Sequence, residues 1–236
     1  MVDHRRRWTD IRDAHMPLKV FIGYDEAEAP AYHVLAASIM RHASRPVSIT
    51  ALSSRQIAPY TRQRSATQAT DFSFTRFLVP YLCGYEGMAL FMDCDMLVQA
   101  DIDEVFAYAR NDTTKSVWCC QHDYTPSTTS KFLGNEQKAY PRKNWSSFLL
   151  FRNDRCRSLT PAYVNGASAA DLHRLAWVPD EQIGSLPLDW NWLVGEYAAK
   201  PDAKNLHWTV GGPWFEDYTN ADHADLWRRA AEAIRC

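Results

Sequence analysis

The segment ALFMDCDMLVQADIDEVF, residues 89–106, sets the architecture of the chain. With Met88 in front, Ala89, Leu90, Phe91 and Met92 form a short apolar run that predicts a buried strand. It stops on Asp93 and Asp95, with Cys94 between them. In extended backbone, residues two apart project to the same side, so both carboxylates face whatever lies beyond the strand's C-terminal end. In an open α/β sheet that end lines the ligand crevice. Two anions side by side repel unless a proton or a cation lies between them, and a divalent ion with hard oxygen ligands is the natural occupant. The same acids also suit a plain strand end that caps a following helix, expected over residues 101–109 with Asp101 or Asp103 as cap. The stretch alone leaves both readings open.

Upstream, residues 18–24 (LKVFIGY) predict the first strand, which ends in the turn Gly23-Tyr24-Asp25. Residues 30–43 follow with apolar side chains at 31, 34, 35, 39, 40 and 43, a helical period, and Pro30 suits the first turn. A strand, a tight turn carrying an acid, then a helix is how many α/β proteins hold a nucleotide. Asp25 then either accepts hydrogen bonds from a base or ribose, with Tyr24 stacking, or simply caps the helix. Neither G-x-G-x-x-G nor G-x-x-x-x-G-K-[ST] is present. Residues 47–52 predict a second strand parallel to the first, and residues 53–70 a polar helix and loop. Residues 73–84 put Phe74, Phe77, Leu78, Tyr81 and Leu82 on one helical face, with Pro80 kinking or shortening the helix. Arg76 lies off that face just ahead of the acid pair, placed either to grip a phosphate bidentately or to meet solvent.

Downstream, residues 116–122 predict another strand, and residues 124–143 a long polar loop over the crevice. Its Lys131 and Lys143 are either phosphate contacts or ordinary surface lysines. Residues 144–153 predict a strand and residues 171–177 a helix, followed by Pro179-Asp180-Glu181-Gln182. Residues 186–197 are aromatic and acidic. Residues 205–214 place His207 in an apolar-flanked segment ahead of Gly211-Gly212-Pro213-Trp214, and residues 225–234 predict a closing amphipathic helix, basic at its far end. Alternating strands and helices with no internal repeat predict one α/β domain over 18–236, its sheet mixed but mostly parallel and flanked by helices, after a lead-in at 1–17.

A chain of 236 residues is long enough for one large domain. At 46% hydrophobic and 13% aromatic, with nine Trp, it predicts a well-filled core and an aromatic-lined cleft. Twenty-six basic side chains against 28 acidic ones give a net charge of −2, which supplies no field for nucleic acid. The six cysteines form no C-x-x-C pair and no zinc spacing, and read as free thiols in a reducing compartment. No apolar run approaches the roughly 18 residues of a membrane span. Arg5, Arg6 and Arg7 are not followed by the apolar stretch of a secretion signal. A soluble, cytoplasmic protein is expected, with peripheral membrane contact through Arg-rich ends as an open alternative.

Four blocks in order resemble a bacterial glycosyltransferase of the Rossmann-like GT-A type, with family 8 the nearest likeness. They are the first strand with Gly23-Tyr24-Asp25, Arg76 ahead of Asp93-Cys94-Asp95, residues 144–151 with Asp180-Glu181-Gln182 beyond, and the closing His207-Trp208-Thr209-Val210-Gly211-Gly212-Pro213-Trp214. The resemblance implies metal-dependent transfer of a sugar from a nucleotide-diphosphate sugar, UDP-linked in the family, to a hydroxyl of a saccharide or glycan acceptor, with retention of anomeric configuration. Asp93, Asp95 and His207 are the implied metal ligands, and an imidazole among carboxylates tilts preference toward Mn²⁺, with Mg²⁺ as the alternative. Gly23, Tyr24, Asp25, Arg76, Asp93, Ser146, Ser147, Gly211, Gly212 and Trp214 are the implied donor contacts. Asn144, Asp180 and Gln182 are placed at the reacting sugar, while Trp190 and Trp192 either stack on sugar faces or pack in the core.

One position departs from that pattern. Gly212 stands where the family carries a lysine on the diphosphate. Lys131, Lys143 or the backbone N–H groups of Gly211 and Gly212 are the candidate substitutes. Two other classes stay open beside the transferase. A sugar-phosphate nucleotidyltransferase shares the frame but ordinarily shows a Gly-rich, Lys/Arg-bearing loop after the first strand, which GYDEAEAP lacks. A non-catalytic nucleotide-sugar-binding relative would keep the site and lose turnover.

Overall fold

The computed structural model describes residues 16–64, 68, 70–136 and 139–234, so nearly all of the expected lead-in lies outside the described residues. In chain order the strands are β1 (Leu18–Gly23), β2 (Val47–Leu52), β3 (Met88–Met92), β4 (Met96–Val98), β5 (Val117–Cys120), β6 (Ser130–Lys131), β7 (Asn135–Glu136), β8 (Phe148–Arg152), β9 (Ile183–Leu186), β10 (Trp192–Leu193) and β11 (Asn205–His207). Six of them form the central sheet in the order β2-β1-β3-β8-β5-β9. The β1–β2, β1–β3 and β5–β9 pairs are parallel, whereas β8 runs against both of its neighbours. The mixed, mostly parallel sheet anticipated from the sequence is therefore the one present.

The apolar runs occupy the middle of this sheet because only there are both faces covered. Every residue of β5, and all but the first of β3 and the last of β8, is buried. By contrast β2, at the edge, buries only Leu52. The Ala29–His42 helix buries Ala31, Val34, Leu35 and Ile39, the expected stripe. Met40 falls off it and is 57% exposed, since one step round a helix from Ile39 already leaves the buried face.

Several predicted elements are shorter than expected. Residues 73–84 form a 3₁₀ turn (Thr75–Leu78) and then one helical turn (Val79–Leu82), whose first turn holds Pro80. A missing N–H costs nothing there. Phe74, Phe77 and Leu78 are buried, while Tyr81 and Leu82 face out. Within 144–153 the strand starts only at Phe148, because Asn144 is left-handed (φ 62°) and Trp145–Ser147 coil as a 3₁₀ turn. The helix expected at 171–177 spans Ala169–His173. Ahead of the Asp103–Asn111 helix it is Asp101 that accepts from the Asp103 N–H, at 3.0 Å.

A second, three-stranded sheet, β10-β11-β4, grows from the end of the acid-bearing stretch. In it β11 lies antiparallel to β4, with His207 opposite Met96. A separate small core of Val34, Leu97, Leu206, Trp208 and Trp227 seals this sheet against the Ala29–His42 and Ala224–Glu232 helices. Among the described residues no helix is long and apolar enough to cross a membrane. Cys94, Cys119, Cys120 and Cys156 are buried free thiols, Cys83 is half-buried, and Cys236 lies outside the described residues.

Gly184 on β9 faces Trp118 on β5 in register, and a Cβ there would stand 2.2 Å from the indole. Because the indole is itself buried between strands, Gly184→Ala is expected to cost about 1–3 kcal/mol of stability by overpacking. A lower urea midpoint at unchanged m-value is the expected result.

Candidate metal and donor site

Asp93 and Asp95 leave β3 together and His207 arrives at the end of β11, more than a hundred positions later in the chain. One ligand atom from each of the three lies within 4.8 Å of the others. The pairing of β11 with β4 makes this possible: β4 begins at the residue after Asp95, and the Trp208 N–H donates to the Asp95 carbonyl at 2.9 Å. His207 Nε2 stands 3.2 Å from Asp95 Oδ1.

The far side of the imidazole fixes its state. His207 Nδ1 lies 2.7 Å from Asn191 Oδ1. The Asn191 amide cannot be turned round, because its Nδ2 donates to Ser147 Oγ at 2.8 Å. Ser147 Oγ in turn donates to the Asn144 carbonyl at 2.8 Å. Nδ1 therefore carries the proton, and in the neutral ring Nε2 aims a lone pair at a carboxylate. A cation shared by the two relieves that opposition, and an orienting amide behind the ligand is how proteins ordinarily hold a metal-binding histidine.

Arg76 approaches from the opposite side. Its Nη1 is 2.9 Å from Asp93 Oδ1 and donates to the Ser146 carbonyl at 2.8 Å. The guanidinium lies against the rings of Phe91 (4.9 Å) and Phe72 (5.5 Å). The sequence offered Arg76 to a phosphate or to solvent; in the structure it is buried against Asp93. A guanidinium between two aromatic faces loses little by leaving water.

The acids at this crevice outnumber their partners. Burial pushes the Asp93 carboxyl up to about 6, Arg76 pulls it down, and Asp95 adds to the rise. Burial also works against a charged Asp95, but His207, when its ring is protonated, and Lys131 hold that carboxyl below its ordinary range. Behind them sits Glu28, buried, with one oxygen 3.8 Å from Cys94 Sγ and the other without a partner. Burial first, then Asp95, Asp25 and Asp93, push its carboxyl well up. The Oδ1 atoms of Asp93 and Asp95 make their close contacts without hydrogen-bond alignment, and so keep lone pairs free. Two hard oxygen donors and one imidazole within 4.8 Å of one another fit a divalent cation.

The other predicted donor contacts are engaged as follows. Gly23 ends β1 beneath the Phe72 ring, which a Cβ would meet at 2.3 Å. Tyr24 is half-buried, edge-on to Tyr32 at 5.3 Å. Both Asp25 oxygens are taken by backbone, from Ala27 and from Asp71, each at 3.0 Å. Asp25 thus ties its own turn to the segment leading to Arg76, and its capping role is the observed one. Asn144 donates from Nδ2 to Tyr124 Oη at 2.8 Å. Ser146 Oγ pairs with His173 Nδ1 at 2.8 Å. Gly211 and Gly212 are buried under the rings of Tyr218 and Trp214, and Trp214 packs against Trp208 and Trp227. Trp190, 1% exposed and stacked on Phe148, belongs to the core, whereas Trp192 is half-buried and lies edge-on to Tyr197.

Asp180 and Gln182 are not brought to the cluster. Through β5 and β8, Ile183 is level with Ala89, so Gln182 is level with Met88 and about 16 Å short of Asp93 along the strand direction. Gln182 Oε1 accepts from Ser116 Oγ at 2.6 Å, and the exposed Asp180 pairs with Arg142 at 2.6 Å. The acid-Gln segment precedes its strand, so β9 carries the chain away from it toward the crevice. What arrives there is the stretch after β9, with Asn191. Reading the sequence missed Asn191 and Glu28. The first had a signal in Asp189-Trp190-Asn191 directly after a strand; the second was one acid among Asp25, Glu26 and Glu28 with nothing to single it out.

No family model matches the chain. Protein CDI of Arabidopsis thaliana is 42% identical over 226 residues, which span 92% of this chain and 86% of that protein. Among solved structures, the apo WbbM bifunctional glycosyltransferase superposes with a TM-score of 0.60 at 14% identity, over 91% of this chain and 49% of its own. The glycosyltransferase GlyE of Streptococcus pneumoniae TIGR4 gives 0.57 at 15%, over 91% and 60%. The galactosyltransferase LgtC, in complex with donor and acceptor sugar analogues, gives 0.58 at 10%, over 93% and 97%. The chain thus spans about half of WbbM and three fifths of GlyE but nearly all of LgtC. At such identities the shared property is the fold, the GT-A type α/β arrangement of these glycosyltransferases.

Since Asn191 sets the tautomer of His207, Asn191→Ala is expected to weaken Mn²⁺ binding about 10- to 100-fold. Isothermal titration with Mn²⁺ measures it; an unchanged affinity in the folded variant would detach Asn191 from the site.

Proposed function

We propose that this chain, which belongs to the family of Arabidopsis thaliana Protein CDI, is a metal-dependent glycosyltransferase that moves a sugar from a nucleotide-diphosphate sugar to a hydroxyl of a saccharide acceptor. A UDP-sugar is the expected donor, kinship with glycosyltransferase family 8 the expected lineage, and retention of anomeric configuration the expected outcome. The observation that carries the reading is the convergence of Asp93, Asp95 and His207 at the C-terminal end of a central parallel strand. The glycosyltransferase neighbours, one of them named for its donor and acceptor sugar analogues, support treating that crevice as a donor and acceptor site.

The two carboxylates and the imidazole would hold a divalent cation, Mn²⁺ ahead of Mg²⁺ because of the nitrogen ligand. Bound there, it supplies Lewis acidity toward the departing diphosphate and a template for its oxygens. The chain's own groups do the rest. Arg76 braces Asp93 from behind and limits the negative charge that an empty cluster would carry. Asn191 keeps the proton on Nδ1 and so presents Nε2. Gly23 and Tyr24 offer a floor for the base, which the bonds to Asp25 hold in place. Ser146 and Ser147, with hydroxyls already committed to His173 and Asn144, shape the sugar pocket through their positions instead of through free hydroxyls.

The same commitments support reading retention as proceeding without a dedicated nucleophile. Asp93 and Asp95 are turned to Arg76 and His207, and the sugar-side polar residues are bonded to one another. A front-face route, in which the leaving diphosphate oxygen takes the acceptor proton, needs no further protein base. The buried thiols suit a reducing compartment, in keeping with a cytoplasmic site of action.

Asp95→Ala is expected to abolish Mn²⁺-dependent donor binding and to bring nucleotide release from a panel of nucleotide-sugars down to the metal-free level. Its far-UV circular dichroism should remain that of the parent. A folded Asp95→Ala protein with unaltered Mn²⁺ dependence would remove the cluster from the mechanism.

A further inference from the structure

The turn that leads into β8 is left-handed at two positions. Arg142 (φ 59°) and Asn144 (φ 62°) both occupy the region that residues with a side chain rarely adopt, with one residue between them. Such backbone persists only where its surroundings over-determine it. Here they do. Arg142 donates to the Arg174 carbonyl at 2.8 Å and to Asp180 at 2.6 Å, and its guanidinium lies 5.1 Å from the Trp145 ring centroid. The Trp145 indole N–H donates to the His122 carbonyl at 2.8 Å. Asn144 donates from Nδ2 to Tyr124 Oη at 2.8 Å and to Thr209 Oγ1 at 3.3 Å. The turn is therefore tied to the chain after β5, to the end of the Ala169–His173 helix and to the chain after β11.

This turn supplies carbonyls to both sides of the metal cluster. The Ser147 carbonyl accepts the Asp93 N–H at 2.9 Å, and the Ser146 carbonyl accepts from Arg76, which pairs with the Asp93 side chain. The Asn144 carbonyl accepts from Ser147 Oγ at 2.8 Å and from Asn191 Nδ2 at 3.4 Å, and Asn191 Oδ1 holds His207 Nδ1. With Arg142 anchored on one side and β8 fixed on the other, φ at 144 sets where the Asn144 carbonyl points. A φ below zero would swing that carbonyl away from Ser147 and Asn191, and the imidazole would be free to turn.

We infer that Asn144 is a positioning residue for the metal-ligating imidazole, and that the site depends on its left-handed backbone instead of on a contact between its side chain and the sugar. The inference rests on the metal-site reading and deepens it. Asparagine is among the few residues other than glycine that enter this region readily, and its side chain then locks the turn to Tyr124 and Thr209. The family resemblance puts Asn144 at the reacting sugar. The structure gives its amide N–H groups and its carbonyl to the protein itself.

Isothermal titration with Mn²⁺ alone tests this on the full chain with Asn144→Gly, Asn144→Ala and Asn144→Val, and thermal midpoints identify the folded variants. Glycine takes positive φ freely, alanine at a penalty and valine hardly at all. Mn²⁺ affinity is expected to stay at the parent's value in Asn144→Gly and to fall about 10- to 100-fold in Asn144→Val. Asn144→Ala should lie between them, and it takes the place of Asn144→Val if that variant does not fold. In an Asn191→Ala background the same substitution is expected to add no further loss, because both residues act through one imidazole. A folded Asn144→Val or Asn144→Ala protein that binds Mn²⁺ like the parent overturns the inference. So does an Asn144→Gly protein as weak as Asn144→Val, or a double variant in which the two losses add. Each of these outcomes leaves the metal cluster standing, whereas a parent protein that binds no Mn²⁺ sinks the cluster and this role together.

Discussion

Mutual repulsion among four carboxylates is the constraint to which this crevice answers. Asp25, Glu28, Asp93 and Asp95 converge at the ends of two adjacent parallel strands, and burial raises the cost of charging them. Each has a different accommodation. Asp25 spends both oxygens on backbone N–H groups, Asp93 leans on Arg76, Asp95 faces His207, and Glu28 is pushed toward its neutral form. Such a concentration of acid is an odd way to stabilise a fold and a natural way to hold a cation. The remote elements make sense in this light: the small β10-β11-β4 sheet exists to carry an imidazole back to the acids, and the Asn191–Ser147–Asn144 relay to point it.

Five of the six central strands, β1, β2, β3, β5 and β8, were legible from their apolar runs, whereas β9 was not. The 88–92 run, with acids two apart at its end, marks the crevice in the sequence itself. His207 was legible only through its neighbours. Gln182 was misplaced because a motif shows its residues but not the register of the strand beside it; three successive pairings, β3 with β8, β8 with β5 and β5 with β9, are needed to learn which end it occupies. Asn191 was hidden for a related reason. An amide whose partners are His207, Ser147 and the Asn144 carbonyl leaves no periodic signal, only its place shortly after a strand. The shortened 73–84 helix shows the limit of helical pattern where a 3₁₀ turn holding the buried Arg76 gives way to a single helical turn that starts at Pro80's neighbour Val79.

Aromatic side chains do two kinds of work in this chain. Some simply fill it, as Trp190 does on Phe148. Others set the paths of glycine-containing backbone: Phe72 over Gly23, Trp118 over Gly184, Tyr218 over Gly211 and Trp214 over Gly212. The abundance of tryptophan noted in the composition is spent as much on shaping loops as on excluding water. At Gly212 this shaping leaves no room for a side chain.

The contact of Asp25 with Asp71, together with the Phe72 ring lying over Gly23, has a mechanical corollary. The turn after β1 and the segment that delivers Arg76 are latched into one unit, so neither can be remodelled alone. A lineage that alters what this turn accommodates must also re-seat the guanidinium, and with it the first acid. Drift at the two ends of the groove is thereby correlated by construction, and substitutions at 23, 25, 71, 72 and 76 should travel as a set.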